Sequence, residues 1–287
     1  MFLNRPDPGT DAFGQARDFS TNRFVYTVVS PRARGLSIGV NLNPDRNCNF
    51  NCLYCEVDRR TPPVTDTLDI PVMTAELRHA LEIVFSGQLS KYPRYAKLPP
   101  DLLKLRHVTL SGDGEPTLCP KFAEVLADVI HLRIKGEFPY FKLVLVTNAT
   151  GLNEPAVAGS LKLFDATDEV WVKLDAGSEE YFKKVNDPKV SLFQVMNNIT
   201  LLGRRRPVVI QSLFPMIDGE EPSPEEIEKY VARLKELKAA GTMISLVQIY
   251  SATRPHGNNR CGHLPLRSLS RIAKAVRSET GLKAEVF

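Results

Sequence analysis

Long apolar runs are missing: nowhere do the 287 residues offer the roughly eighteen uncharged apolar positions that a membrane-crossing helix needs. The opening MFLNRPDPGTDAFG has no basic segment followed by an apolar one, so no secretory leader is expected. Both absences predict a cytoplasmic protein with no membrane partner. Cysteine is scarce and odd in number, five in all, which excludes the even disulfide framework of a small secreted protein. An excess of one charge is lacking too: a formal net charge of +4 compels no polyanionic partner. Basic residues thicken at Arg204-Arg205-Arg206 and again at Arg254, Arg260, Arg267, Arg271, Lys274, Arg277 and Lys283. Solvated helix faces and loops account for both runs, with RNA or phosphate contact as the rival reading.

Enough apolar material remains, 43% against 24% charged, to bury a sizeable core. Residues 1–34, rich in Pro, Asp, Asn and Arg, read as an irregular N-terminal extension with one short strand at Arg23–Val29. From residue 35 to 287 short β-rich runs alternate with helical ones, as one domain. Strands are predicted at Leu36–Leu42, His107–Ser111, Lys142–Thr147, Glu169–Leu174, Pro207–Leu213 and Met243–Tyr250. Helices are predicted at Thr74–Phe85, Lys121–Leu132, Glu154–Leu161, Leu192–Leu202, Ser223–Ala240 and Ser268–Ser278. In the fifth, Ser223 caps, Pro224 takes the first position and Glu226 completes a capping box before a stripe of Ile227, Val231, Leu234 and Lys238. This alternation means an α/β fold with a parallel sheet and outer crossover helices, either open and doubly wound or curved into a partial barrel. In both, ligands belong at the carboxyl ends of the strands.

At the first of those ends stand Cys48, Cys52 and Cys55, three thiols within eight residues. Three thiolates on a tight loop can each hold one iron of a cubane cluster and leave the fourth iron open. Structural zinc normally closes four Cys or His ligands around one ion, and no His lies near this loop, although Cys119 or Cys261 could supply a distant fourth ligand.

The C-x3-C-x2-C spacing, with Tyr54 before the last cysteine, resembles the signature of radical S-adenosylmethionine (SAM) enzymes. The resemblance runs from about residue 35 to the end. It implies a partial (β/α)6 barrel of parallel strands with outer helices. It also implies a 4Fe-4S cluster on Cys48, Cys52 and Cys55, with the open iron chelated by the amino and carboxylate groups of SAM. Reductive cleavage of SAM to a 5′-deoxyadenosyl radical, fed by reduced flavodoxin or ferredoxin, is the implied reaction. Ser111-Gly112-Asp113-Gly114-Glu115-Pro116, after the second predicted strand, is similar to the family's Gly-Gly-Glu motif with Asp113 in place of the first glycine. Thr147-Asn148 resembles a pair that many relatives carry at the third strand end.

Lys173 and Asp175 fall on one side of the fourth strand end by alternation and suggest a wet pocket, with ribose or carboxylate contacts implied by the resemblance. Gln211 and Ser212 interrupt an apolar strand and need partners, either from the cofactor or from within the protein; Gln248 is expected to be satisfied internally. In the last loop, Ser251–His263, Cys261 is a candidate hydrogen-atom donor or ligand, with an inert thiol as the default.

Ser30–Asn41, the Ser-Gly-x-Gly-Glu-Pro-Thr-Leu form of the second motif, and Gln248-Ile249-Tyr250 leading to Arg254-Pro255 are similar to the wyosine-synthase-like group, which makes a tricyclic tRNA base. Residues 1–47 contain no cysteine, whereas those tRNA enzymes carry a second cluster on N-terminal cysteines. The substrate therefore stays open among a small molecule, a peptide and RNA, and a non-catalytic iron-sulfur or zinc module is the rival class.

Overall fold

The computed structural model describes residues 17–63, 65–253 and 258–287. In chain order the elements are β1 (Val25–Ser30), β2 (Gly35–Asn41), α1 (Ile70–Phe85), β3 (Leu105–Ser111), α2 (Phe122–Ile134), β4 (Leu143–Thr147), α3 (Pro155–Ser160), β5 (Glu169–Lys173) and α4 (Glu179–Asn186). They continue with α5 (Leu192–Gly203), β6 (Val208–Leu213), β7 (Pro215–Ile217), α6 (Pro224–Ala239), β8 (Ile244–Tyr250), β9 (Cys261–His263), α7 (Leu266–Thr280) and β10 (Ala284–Val286). The six predicted strands are β2, β3, β4, β5, β6 and β8, joined in that order as parallel neighbours. β1 extends one edge antiparallel and β10 the other edge parallel. The two edges are not paired, so the sheet stays open. It nevertheless curves back on itself, because Arg34 in the β1–β2 turn reaches Glu285 of β10 at 2.6 Å. The architecture is a partial barrel.

Alternation along the strands sorts the core. Ile38, Val40, Val108, Leu110, Leu143, Leu145, Val170, Val172, Val208 and Ile210 point outward into one apolar layer beneath the helices. Inside the barrel Val144, Trp171 and Val209 form a small apolar patch, and the Ser37–Thr109 and Gln211–Gln248 hydrogen bonds pair polar side chains on the same inner face. The outer helices pack in chain order, α1 on α2, α2 on α3, α5 on α6 and α6 on α7. No helix among the described residues is long and apolar enough to cross a membrane.

Helix boundaries differ from the periodicity where capping decides them. α1 begins four residues before Thr74 because the Asp69 side chain accepts the Val72 N–H and Pro71 suits the first turn. α4 goes unpredicted: it spans only Glu179–Asn186, is capped by Ser178 and buries Phe182 and Val185. In α6, Ser223 does cap the Glu226 N–H, but the Glu226 carboxylate does not return to close a capping box. It crosses to the loop after β5, where it accepts from the Gly177 and Ser178 N–H groups and the Ser178 hydroxyl. The buried stripe of α6 is Tyr230, Val231, Leu234 and Leu237, and Lys238 is exposed with its ammonium on the Thr280 carbonyl.

Glu226→Gln keeps the shape and removes one acceptor oxygen from this buried junction. It should lower stability by about 1–3 kcal/mol, read as an earlier midpoint in urea; an unshifted midpoint would show that the junction contributes nothing.

Candidate functional site

The loop between β2 and α1 carries the three cysteines over the carboxyl ends of the strands. It is a fixed structure despite its lack of regular elements. Asn51 and Leu53 N–H groups donate to the Asn186 and Val185 carbonyls, and Lys189 N–H donates to the Asn49 carbonyl. The loop therefore runs along the end of α4 and the residues just after it like an added strand. Phe50 is buried beneath it, edge-on to Phe182 at 5.3 Å. Cys48, Cys52 and Cys55 are half-buried and all line one cavity that runs from this loop into the barrel. Burial pushes the Cys48 thiol up and the Cys52 thiol up to about 12. Asn186 Nδ2 donates to Cys52 Sγ at 3.3 Å.

Neither remaining cysteine joins them. Cys119 is buried in the layer beneath the helices, and Cys261, on β9, packs with Ile217 and Tyr250 and does not line the cavity. Burial raises the Cys261 thiol to about 11. Among the described residues no three Cys, His, Asp or Glu side chains converge as single-ion ligands must. A cubane makes a different demand, since each thiolate takes a separate iron. Three thiols facing one cavity without a fourth cysteine fit that group, with one corner left for a small molecule.

The Gly112–Glu115 turn lines the same cavity, but its glycines serve the protein before any ligand. A Cβ on Gly112 would stand 2.8 Å from Asn41 Oδ1 and 2.9 Å from Asn43 Oδ1, and one on Gly114 would stand 1.9 Å from the Asn47 carbonyl oxygen. Both glycines let the turn lie against the root of the cysteine loop. Asn43 Oδ1, beside it, is a buried acceptor with no partner among the described residues. Glu115 is buried with both oxygens engaged: it accepts from Thr117 N–H and hydroxyl, the Thr147 hydroxyl and Asn148 N–H. Burial raises its pKa while these donors work the other way. Asp113 takes Arg17 at 2.7 Å and Asn41 Nδ2 at 2.9 Å. Arg17 also lies over the Tyr26 ring, a contact that no periodicity in the N-terminal segment signals.

Asn148 Nδ2 donates to Asn49 Oδ1 at 2.8 Å and so ties the β4 end to the cysteine loop. Lys173 faces the cavity, with Nζ 3.3 Å from the Tyr54 hydroxyl. Burial opposes its charge, but Tyr250, Asp175 and Cys52 outweigh it, so its pKa lies above the ordinary lysine value.

Asp175 and Ser212 differ from expectation. Asp175 does not share the wet pocket with Lys173: it is buried beyond the end of β5, where alternation no longer applies. It accepts from the Tyr54 hydroxyl, Asn186 Nδ2 at 2.8 Å and Leu213 N–H at 2.8 Å. Ser212 points outward, hydrogen-bonded to the Leu174 carbonyl and the Tyr230 hydroxyl. Gln211 does line the cavity, with Nε2 donating to Gln248 Oε1 at 2.8 Å, and this pair satisfies Gln248 internally. Asn186 is the main residue that sequence reasoning missed, because it ends the unpredicted α4. Arg254, Pro255, His256 and Gly257 lie outside the described residues.

A partial barrel with three thiols facing one cavity over its strand ends has the layout that suits an iron-sulfur centre. The chain belongs to the Radical SAM superfamily, whose family model matches residues 42–231, and it is an enzyme of that class, which uses a 4Fe-4S cluster and SAM. It is similar to the UPF0026 protein of Helicobacter pylori (strain ATCC 700392 / 26695), 25% identical over 267 residues covering 88% of this chain and 79% of that one. Its fold resembles Streptococcus suis SuiB bound to S-adenosylmethionine (TM-score 0.60, 15% identity), covering 85% of this chain and about half, 49%, of SuiB. It also resembles archaeal TYW1 (TM-score 0.53, 14% identity), over 92% of this chain and 86% of TYW1. At such identities these two likenesses are of fold alone.

Gly114→Ala forces the Asn41–Asn47 root to shift. It should cost about 1–3 kcal/mol in urea unfolding and speed thiol labelling of Cys48 by a disulfide reagent. Wild-type stability and labelling would mean that the turn does not brace the loop.

Proposed function

We propose that Cys48, Cys52 and Cys55 hold the cluster, and that Gly112–Glu115, Asn148, Lys173 and Gln211 wall the SAM site. The observation that carries this reading is one cavity shared by three thiols, the second motif and Lys173, with no fourth cysteine on its wall. When bound, the cluster and SAM supply the one-electron cleavage that starts radical chemistry across the family. The chain's own residues hold and shield. Lys173 offers a fixed positive charge to a carboxylate, and Glu115 locks the β3 and β4 ends together. Asn186 steadies Cys52, and Asp175 is a positioning residue behind Tyr54. Cys261 and Ser212 have no part in it.

Members of the family need an electron donor, and the reading names flavodoxin or ferredoxin in reduced form. Support comes from a surface groove outside the loop, where Cys52 and Cys55 lie among Arg59, Lys183 and Lys184, while Arg60 pairs with Asp58 and Arg260 with Asp218. The substrate is read as a small molecule or peptide reaching into the barrel. An RNA substrate has less support, because much of the basic C-terminal run is spent internally. Arg260 pairs with Asp218 and Arg271 with Glu221, both at 2.8 Å, Lys283 pairs with Glu285 at 3.0 Å, and Arg277 donates to the Ala284 carbonyl.

Reconstituted protein, reduced with dithionite and given SAM, should form 5′-deoxyadenosine, while Cys48→Ala, Cys52→Ala and Cys55→Ala should each lose the cluster absorbance and fall to background. A single-cysteine variant that still cleaved SAM would sink the reading. Asn186→Ala removes an N–H···S bond that stabilises the more negative, reduced cluster, so its reduction potential should fall. A spectroelectrochemical titration showing no change, or a rise, would remove Asn186 from the site.

A further inference from the structure

We infer that the open side of the barrel carries a subsite for an anionic group of the substrate, a carboxylate or a phosphoryl group, read by Arg32. The inference rests on the radical SAM reading and adds a substrate class to it. Ser30-Pro31-Arg32-Ala33-Arg34-Gly35 turns β1 into β2, with Arg34 in left-handed backbone at φ 56° and its N–H on the Pro31 carbonyl. The turn stands where the two sheet edges approach each other. Its two arginines have different fates. Arg34 spans the gap to Glu285 at 2.6 Å and lies over the Phe287 ring. Arg32 turns into the cavity and lies 4.2 Å over the Tyr250 ring.

Arg32 has no hydrogen bond or ion pair among the described residues, and its Nε is buried without an acceptor. Arg32 as a whole is half-buried, and of its guanidinium nitrogens Nε is the one enclosed without a partner. Among the described residues nothing acidic in the cavity answers it. Asp113 is taken by Arg17 and Asn41, Glu115 by the β3 and β4 ends, and Glu56 is engaged as well. Lys173, on the same cavity, also has no carboxylate at ion-pair distance among the described residues. His107 adds no charge of either sign, since burial and the nearby Lys142 and Arg32 hold its pKa down to about 3. A planar fork fixed against an aromatic ring and left without an acceptor suits a carboxylate or phosphoryl oxygen pair. Stacking alone would explain the ring contact, but not the missing acceptor or the excess of positive charge.

The test is isothermal titration of the anaerobic, cluster-loaded full chain with two probes, inorganic phosphate and oxalate, in low-salt buffer. At least one should bind at a single saturable site, and which one binds assigns phosphoryl or carboxylate recognition. Arg32→Gln should weaken that binding about 10-fold to 100-fold, the size of a charge-assisted contact. Arg32→Lys, which keeps the charge without the fork, should weaken it less, and Arg34→Gln, whose partner is Glu285, should leave it unchanged. Thermal unfolding confirms that each variant folds, and Arg32→Lys carries the test if Arg32→Gln does not fold. The inference is overturned if neither probe binds wild type, if binding is insensitive to Arg32, or if Arg34→Gln weakens it equally. Failure of wild type to form 5′-deoxyadenosine would instead strike the radical SAM reading, and the titration reads out separately from it.

Discussion

One buried carboxylate gathers the site. Asp175 sits where a charge is costly unless its oxygens are fully hydrogen-bonded. The structure meets that cost with donors from three places: the Tyr54 hydroxyl, the Asn186 amide and the Leu213 N–H. These come from the cysteine loop, the end of α4 and the end of β6. Satisfying Asp175 therefore places the loop over the barrel and fixes Cys52, which takes the same Asn186 amide. Tyr54, between Cys52 and Cys55 in sequence, is the hinge of this arrangement. Its pKa is pushed well up by burial and by Asp175, so it remains a neutral donor.

Around that point the polar residues divide into those spent on architecture and those left facing the cavity. Glu115, Asn148, Asp113 and Asp175 mostly tie loops together. Lys173, Gln211 and Arg32 face the interior; Gln211 is paired with Gln248 and Lys173 with the Tyr54 hydroxyl, while Arg32 has no acceptor among the described residues. The division has a simple cause. Loops at the strand ends lack sheet hydrogen bonds, and short polar side chains supply substitutes. The acids are mostly consumed in that work, which leaves Lys173 and Arg32 as charges on the cavity wall without a carboxylate partner among the described residues.

The six strands of the barrel were legible because buried parallel strands are β-rich runs closed by turn residues, and each strand lies within about two residues of its expected position. The cysteine triad was legible because its spacing is local. α4 was not, since an eight-residue helix offers only two apolar turns, and with it Asn186 went unseen. Asp175 and Ser212 were misplaced for different reasons: Asp175 lies past the end of β5, where alternation assigns no face, and Ser212 lies within β6, where alternation does not say which face is the interior. The reciprocal capping box at Glu226 failed because a tertiary competitor, the β5 loop, offered three donors against one.

The amino-acid sequence by itself determined what is local: the strand and helix rhythm, the parallel topology that short strands and long crossovers impose, and three thiols at a spacing that suits a cluster. Tertiary structure alone decided which polar groups remain available. Whether Glu115 or Arg32 is engaged depends on donors and acceptors that lie far away along the chain, such as Asn148 and Tyr250, and no pattern within a segment records them. Hydrogen bonds and charges act through space, so the placement of unmatched charge emerges only when the barrel closes around it.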